Sequence, residues 1–225
     1  SIAVSGTHGK TTTTGMLTQL FIQAGKDPSA IIGGKLPFIG SNGRAGKSDI
    51  MICEACEYVD TFLKLSPAIS IILNIDADHL EYFGSLENII KSFHQFANQT
   101  SKVLIVNGDD ENVKKAIKDI QDVKIITFGL GADNDYSAAN IKEEPNVFED
   151  FTLMKQGTPL TDIRLSVPGK HNIMNALAAA ATADYFGISG NDIAKGLHDF
   201  TGVHRRFERL GTFHDIVVAD DFAHH

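Results

Sequence analysis

"SIAVSGTHGKTTTT" (residues 1–14) runs from an apolar strand through a glycine turn into a helix. The usual phosphate loop, G-x-x-x-x-G-K-[ST], has four residues between its glycines. Here only Thr7 and His8 separate Gly6 from Gly9, and Val4 stands where the first glycine belongs. Strand, turn and helix still bring free N–H groups and the positive end of a helix dipole to one point. Lys10 then has the reach for β- and γ-phosphates, and the Thr11 hydroxyl is placed for Mg²⁺. A plain βα turn, with Thr as cap and Gly for geometry, is the bland reading of the same residues.

Outward from this loop the chain alternates. Residues 10–24 read as a helix closed by Gly25, 49–55 and 69–75 as buried strands, and 85–99 as a helix. Strands at 102–107 and 124–129 flank a helix near 110–120. Strands apolar on both faces and separated by helices imply an α/β fold with a mostly parallel, doubly wound sheet of P-loop type. From 136 to 168 short strands and turns predict a small antiparallel patch, followed by helices at 172–186 and 190–199. "FERLGTFHDIVVADD" (207–221) reads as two strands joined by a turn, the opening of a further domain.

Of 225 residues, 43% are hydrophobic, which suits a packed core, and the net charge of −8 argues against a sequence-independent nucleic-acid binder. No apolar run approaches the roughly 20 residues that span a bilayer, and no signal peptide is visible. The two cysteines, Cys53 and Cys56, form a C-x-x-C at a strand end and not at a helix start, which favours reduced thiols in a cytoplasmic protein over a redox pair.

Five further stretches carry chemistry. Glu54 and Glu57 follow a buried strand, where an α/β sheet presents its ligand crevice; each is either a metal-holding carboxylate or a solvated loop acid. Asn74-Ile-Asp76-Ala-Asp78-His79 ends the next strand, and His79 is either a metal or phosphate contact or a structural histidine. Asn172 and Asn175, spaced i,i+3, share a helix face and would either read an adenine edge or cap the helix. Arg205-Arg206-Phe207 is a phosphate clamp or surface charge. Asp220-Asp221-Phe-Ala-His224-His225 closes the chain.

In order and spacing these motifs resemble the Mur ligase family from the first residue to the last. The Thr7-His8 pair and Arg205-Arg206-Phe207 favour the branch that joins L-alanine to UDP-N-acetylmuramate. The resemblance implies a central ATP-binding domain over 1–206, the start of a Rossmann-like C-terminal domain over 207–225, and an N-terminal UDP-binding domain that this chain lacks. It implies an ATP-dependent, amide-forming ligase of bacterial peptidoglycan synthesis that works through an acyl phosphate. Gly6, Thr7, His8, Gly9, Lys10, Thr11 and Thr12 would form the phosphate loop. Lys10, Glu54, His79 and Arg206 would be catalytic, with Thr11, Glu54 and His79 on Mg²⁺. Asn172 and Asn175 would contact adenine, Arg206 the phosphates, Asp221 the ribose, and His224 would lie near the incoming amino acid.

By the same resemblance Cys56 replaces a frequent Asp, Phe222 a frequent Tyr, and Phe93 stands where some members carry a carbamylated lysine. The expected partners are small molecules, with no nucleic acid and no membrane. A sibling that ligates a preformed tripeptide, and a non-catalytic nucleotide-binding module, are the competing readings. Alone, this chain is expected to bind ATP and form no amide bond.

Overall fold

The computed structural model describes residues 1–142, 149–206, 208–214 and 216–221. A ten-stranded sheet is built around β1 (Ile2–Ser5), which lies between β4 (Met51–Glu54) and β5 (Ile69–Ile72) and is parallel to both. Beyond β5 come β6 (Val103–Asn107), β7 (Lys124–Gly129) and β8 (Tyr136–Lys142), each parallel to its neighbour. The antiparallel strands β9 (Asp150–Lys155) and β10 (Thr158–Arg164) finish that edge. At the other edge β2 (Ser29–Leu36) runs parallel to β4, and β3 (Ser41–Arg44) turns back along it.

The period of two along the central strands sorts their side chains between two cores. Ile2, Val4, Ile71 and Ile105 point into one, while Ala3, Ile72, Leu104 and Val106 point into the other. The first core is covered by α1 (Lys10–Gln23), α5 (Lys170–Tyr185) and α6 (Gly190–His198). The second lies under α3 (Leu86–Asn98) and α4 (Glu111–Ile117), with the short α2 (Leu80–Phe83) beside them. Burial on both faces is why the strands read as continuous apolar runs. In α5 the run Ala176–Ala183 is almost wholly buried, and its short side chains let the helix sit close to α1 and the sheet. No helix among the described residues is long and apolar enough to cross a membrane.

The parallel sheet, its antiparallel patch and the positions of the helices match the sequence-based expectation, with boundaries shifted by a few residues. Residues 26–48 differ: no strand is expected there, yet β2 and β3 form. Gly33 and Gly34 disguise β2, because glycine weakens a strand pattern; they are needed for close approach. A Cβ on Gly34 would come within 2.7 Å of Val203 Cγ1, and one on Gly33 would meet the Glu54 carboxylate. β11 (Glu208–Phe213) and β12 (Ile216–Asp220) pair in a separate two-stranded sheet.

The antiparallel patch is tied to α5 by a buried phenol. Tyr136 donates its hydroxyl hydrogen to Asp184, which also accepts from Lys155 Nζ at 2.6 Å. Burial first, and then the Asp184 carboxylate, push the Tyr136 hydroxyl well above the usual phenol range. A folded value above the unfolded one means that this stabilisation is complete below about pH 10 and is lost as pH rises through the folded value. Between pH 9 and 11.5 the wild-type melting temperature is therefore expected to fall more steeply than that of Tyr136→Phe. Parallel melting curves across this range, with equal slopes, would refute it.

Candidate functional site

The site forms where the carboxyl ends of β1, β4 and β5 meet, beside the start of α1. Gly6 (φ 137°) and Gly9 (φ 86°) take backbone angles that L side chains avoid, and a Cβ on Gly6 would lie 2.9 Å from Leu73 Cβ. Asn74 holds the loop in shape. Its carbonyl accepts from Thr7 N at 3.1 Å, its Oδ1 accepts from His8 N at 2.7 Å, and its Nδ2 donates to His8 O at 3.1 Å. Asp76 N adds a bond of 2.9 Å to Thr7 Oγ1. Gly9 is the cap residue of α1, no side chain caps it, and the first turn carries no acid. The initial N–H groups of the helix thus lack intrahelical acceptors, and nothing anionic offsets the dipole from within that turn.

Lys10 folds back over the loop. Its ammonium donates to Gly6 O at 2.6 Å, to Thr7 O at 3.2 Å and to Glu57 Oε1 at 3.0 Å. Thr11 Oγ1 donates to Glu54 Oε1 at 3.1 Å, while Glu54 Oε2 accepts from Gly33 N at 2.9 Å. Arg206 reaches the same hydroxyl, its guanidinium 3.4 Å from Thr11 Oγ1, although 195 residues separate them. Asn175 stands under Gly9. Its Oδ1 accepts from Thr13 Oγ1 at 3.2 Å, and its Nδ2 donates to Asn172 Oδ1 at 3.0 Å. Asn172 in turn donates to Pro168 O at 2.7 Å; Gly169, not Asn172, is the cap of α5.

The expected site residues are therefore brought together unevenly. Gly6, Thr7, His8, Gly9, Lys10, Thr11 and Thr12 form one loop and helix start, joined by Glu54, Arg206, Asn172 and Asn175. His79 takes a left-handed backbone at the start of α2 and contacts Asp78, Glu81 and the Tyr58 ring, not Glu54. Asp221 is exposed and follows β12. His224, with Phe207 and Phe222, lies outside the described residues. Phe93 is fully buried edge-on against Phe62 at 5.1 Å.

Whether the residues suit Mg²⁺ can be read from their donors. A hard cation needs oxygen ligands, and the Thr11 hydroxyl and Glu54 carboxylate, 3.1 Å apart beside the loop, are such a pair. They fit the ion as two ligands. No group of three His, Cys, Asp or Glu side chains among the described residues is arranged to hold a metal.

Glu57, read from the sequence as a metal-holding carboxylate or a solvated loop acid and given no role by the resemblance, is buried against Lys10. It is 3% exposed, and its Oε2 lies 2.9 Å from Lys10 Nζ. Its only signal in the sequence is the spacing from Glu54. The turn that carries it is strained: Val59 and Asp60 both have φ 53°, which costs about 1–3 kcal/mol each. Asp60 holds that turn through Ser92 Oγ and through Tyr82 OH at 2.7 Å. Cys53 and Cys56 are both free. Burial pushes the Cys53 thiol up, opposite to what a reactive thiolate requires.

Comparison with known proteins adds a family. A family model described as "Mur ligase middle domain" matches residues 4–183. The UDP-N-acetylmuramate–L-alanine ligase of Acetivibrio thermocellus is 45% identical over 100% of this chain and 48% of its own length. The enzyme of that name from Clostridium tetani is 44% identical, over 100% of this chain and 49% of its own length. Among solved structures, UDP-N-acetylmuramate-alanine ligase from Thermotoga maritima superposes with a TM-score of 0.85 at 30% identity, covering 99% of this chain and 50% of that one. The L-alanyl-gamma-D-glutamyl-meso-diaminopimelate ligase from Neisseria meningitides gives 0.80 at 26%, covering 91% and 67%. The chain spans about half the length of the curated relatives it matches.

Proposed function

Because this chain belongs to the Mur ligase family, as its middle domain, we propose that it supplies the ATP site of an amide-forming ligase that joins L-alanine to the lactyl carboxylate of UDP-N-acetylmuramate. The observation that carries the reading is the convergence of Lys10, Thr11, Glu54 and Arg206 on one glycine loop. The 45% identity to an L-alanine ligase across the whole chain supports the choice of substrate.

In this reading residues 1–206 are the ATP-binding domain, and 207–225 begin the next. The loop N–H groups and Lys10 bind the β- and γ-phosphates, and Arg206 neutralises charge that develops during transfer. Thr11 and Glu54 would hold Mg²⁺ beside the loop, with His79 as the further ligand that the family resemblance implies, and the ion would supply charge neutralisation for phosphoryl transfer. The substrate carboxylate takes the γ-phosphoryl group of ATP with ADP as the leaving group, the amine of alanine attacks the acyl carbon, and the tetrahedral intermediate expels phosphate to leave the amide. Asn172 and Asn175 contact adenine with the amide hydrogen that each has left over, Asp221 the ribose, and His224 faces the amino acid. The protein works in the bacterial cytoplasm on small molecules, with neither nucleic acid nor membrane as partner.

In the full-length protein, ATP turnover is expected to require UDP-N-acetylmuramate and to prefer L-alanine over a preformed tripeptide, as read by phosphate release. The 225-residue chain alone is expected to bind ATP·Mg²⁺ weakly and to form no amide. The similarity to the diaminopimelate-containing tripeptide ligase keeps one alternative in view. Preference for the tripeptide would assign the protein to that reaction instead.

A further inference from the structure

An ammonium has three N–H donors, and those of Lys10 are all committed: to Gly6 O, Thr7 O and Glu57 Oε1. A phosphate oxygen can be reached only if one of these is given up. The two carbonyls belong to the loop itself and are fixed by its backbone; Glu57 is the partner from elsewhere, 47 residues along the chain. Glu57 is also an anion, so it opposes a terminal phosphate by charge as well as by competing for the same hydrogen.

Its position is not accidental to the fold. Phe62 anchors the far end of the turn, stacked on Phe96 with ring centroids 4.7 Å apart and edge-on to Phe93. Asp60 N bonds to Glu57 O at 2.9 Å, Thr61 Oγ1 to Cys56 O at 2.7 Å, and Phe62 N to Cys56 O at 2.9 Å. Together with Asp60 on Ser92 and Tyr82, these bonds hold two consecutive left-handed residues in place. The result is a carboxylate buried directly against the loop lysine, with Oε1 at 3.0 Å and Oε2 at 2.9 Å from its ammonium.

We propose that Glu57 is a positioning residue that acts through Lys10: it parks the ammonium over the Gly6 and Thr7 carbonyls, and the terminal phosphates of a nucleoside triphosphate displace it. The inference rests on the nucleotide reading of the loop. Parking keeps the lysine ordered and out of the phosphate space, and the exchange of one anion for another makes triphosphate affinity weaker than the loop alone would give.

Glu57→Gln keeps the shape, removes the charge and loosens the hold on Lys10. Calorimetric titration of the chain with ATP·Mg²⁺ and with AMP tests the exchange, and melting curves confirm that each variant is folded. Glu57→Gln is expected to bind ATP about five- to tenfold more tightly than wild type, with AMP, which lacks the displacing phosphates, unchanged. Glu57→Asp, which restores the anion, is expected to return ATP affinity toward the wild-type value. Should Glu57→Gln melt too early for titration, Asp60→Asn, which unpins the turn, is expected to show a smaller gain for ATP and none for AMP. ATP binding that is unchanged or weaker in these variants, or tightening shared equally by AMP, overturns the role of Glu57 while leaving the nucleotide site intact. Failure of the wild type to bind ATP at all overturns the nucleotide reading and this inference with it.

Discussion

Lys10→Ala is expected to weaken ATP·Mg²⁺ binding by about 10- to 100-fold, the worth of a charge-assisted hydrogen bond of about 1.5–3 kcal/mol. Calorimetric titration reads it directly, and equal affinity in the two proteins would sink the phosphate-loop assignment. The same substitution has a second consequence, because it strips the buried Glu57 carboxylate of its cation. Breaking one side of a buried pair costs about 3–5 kcal/mol, so the melting temperature should fall as well. Lys10→Ala with Glu57→Gln separates the two effects. Stability should largely return in the double variant, because no buried charge is left alone, whereas ATP affinity should remain below that of wild type.

Gly9→Ala is the second large effect. The position has φ 86°, and a Cβ there would be driven into Asn175 Oδ1. That oxygen cannot simply swing away, because Asn175 is held between Thr13 and Asn172. Backbone strain of about 1–2 kcal/mol adds to the clash, for an expected destabilisation of about 2–4 kcal/mol and loss of measurable ATP binding. Gly157→Ala is the matched control: its φ is 74°, but nothing lies within 4 Å of an added Cβ. If the two substitutions lower the melting temperature equally, the contact with Asn175 contributes nothing and only the backbone term is real.

Much of the fold was legible because its signals are local. A strand buried on both faces needs an unbroken apolar run, as in "ISIILNI", and a phosphate loop needs glycines where φ is positive. β2 was invisible for the opposite reason: its glycines answer to Val203 and Glu54, which lie far away in sequence. Asn172 and Asn175 were legible as a pair on one face, yet their hydrogen bonds run to each other, to Pro168 and to Thr13. Within the protein they brace the loop from behind, a role their spacing could not reveal.

The strand–loop–helix unit and the alternation that makes the sheet mostly parallel were legible in the order of residues alone. These follow from backbone angles and side-chain period, which neighbouring residues decide among themselves. Only the tertiary structure decided that Glu57 meets Lys10, that Glu54 bridges Thr11 and Gly33, and that Arg206 arrives at the loop. Those contacts join residues between 21 and 195 positions apart. They depend on strand order, with β4 and β5 on either side of β1, and that order is set by how two hydrophobic cores close around the sheet.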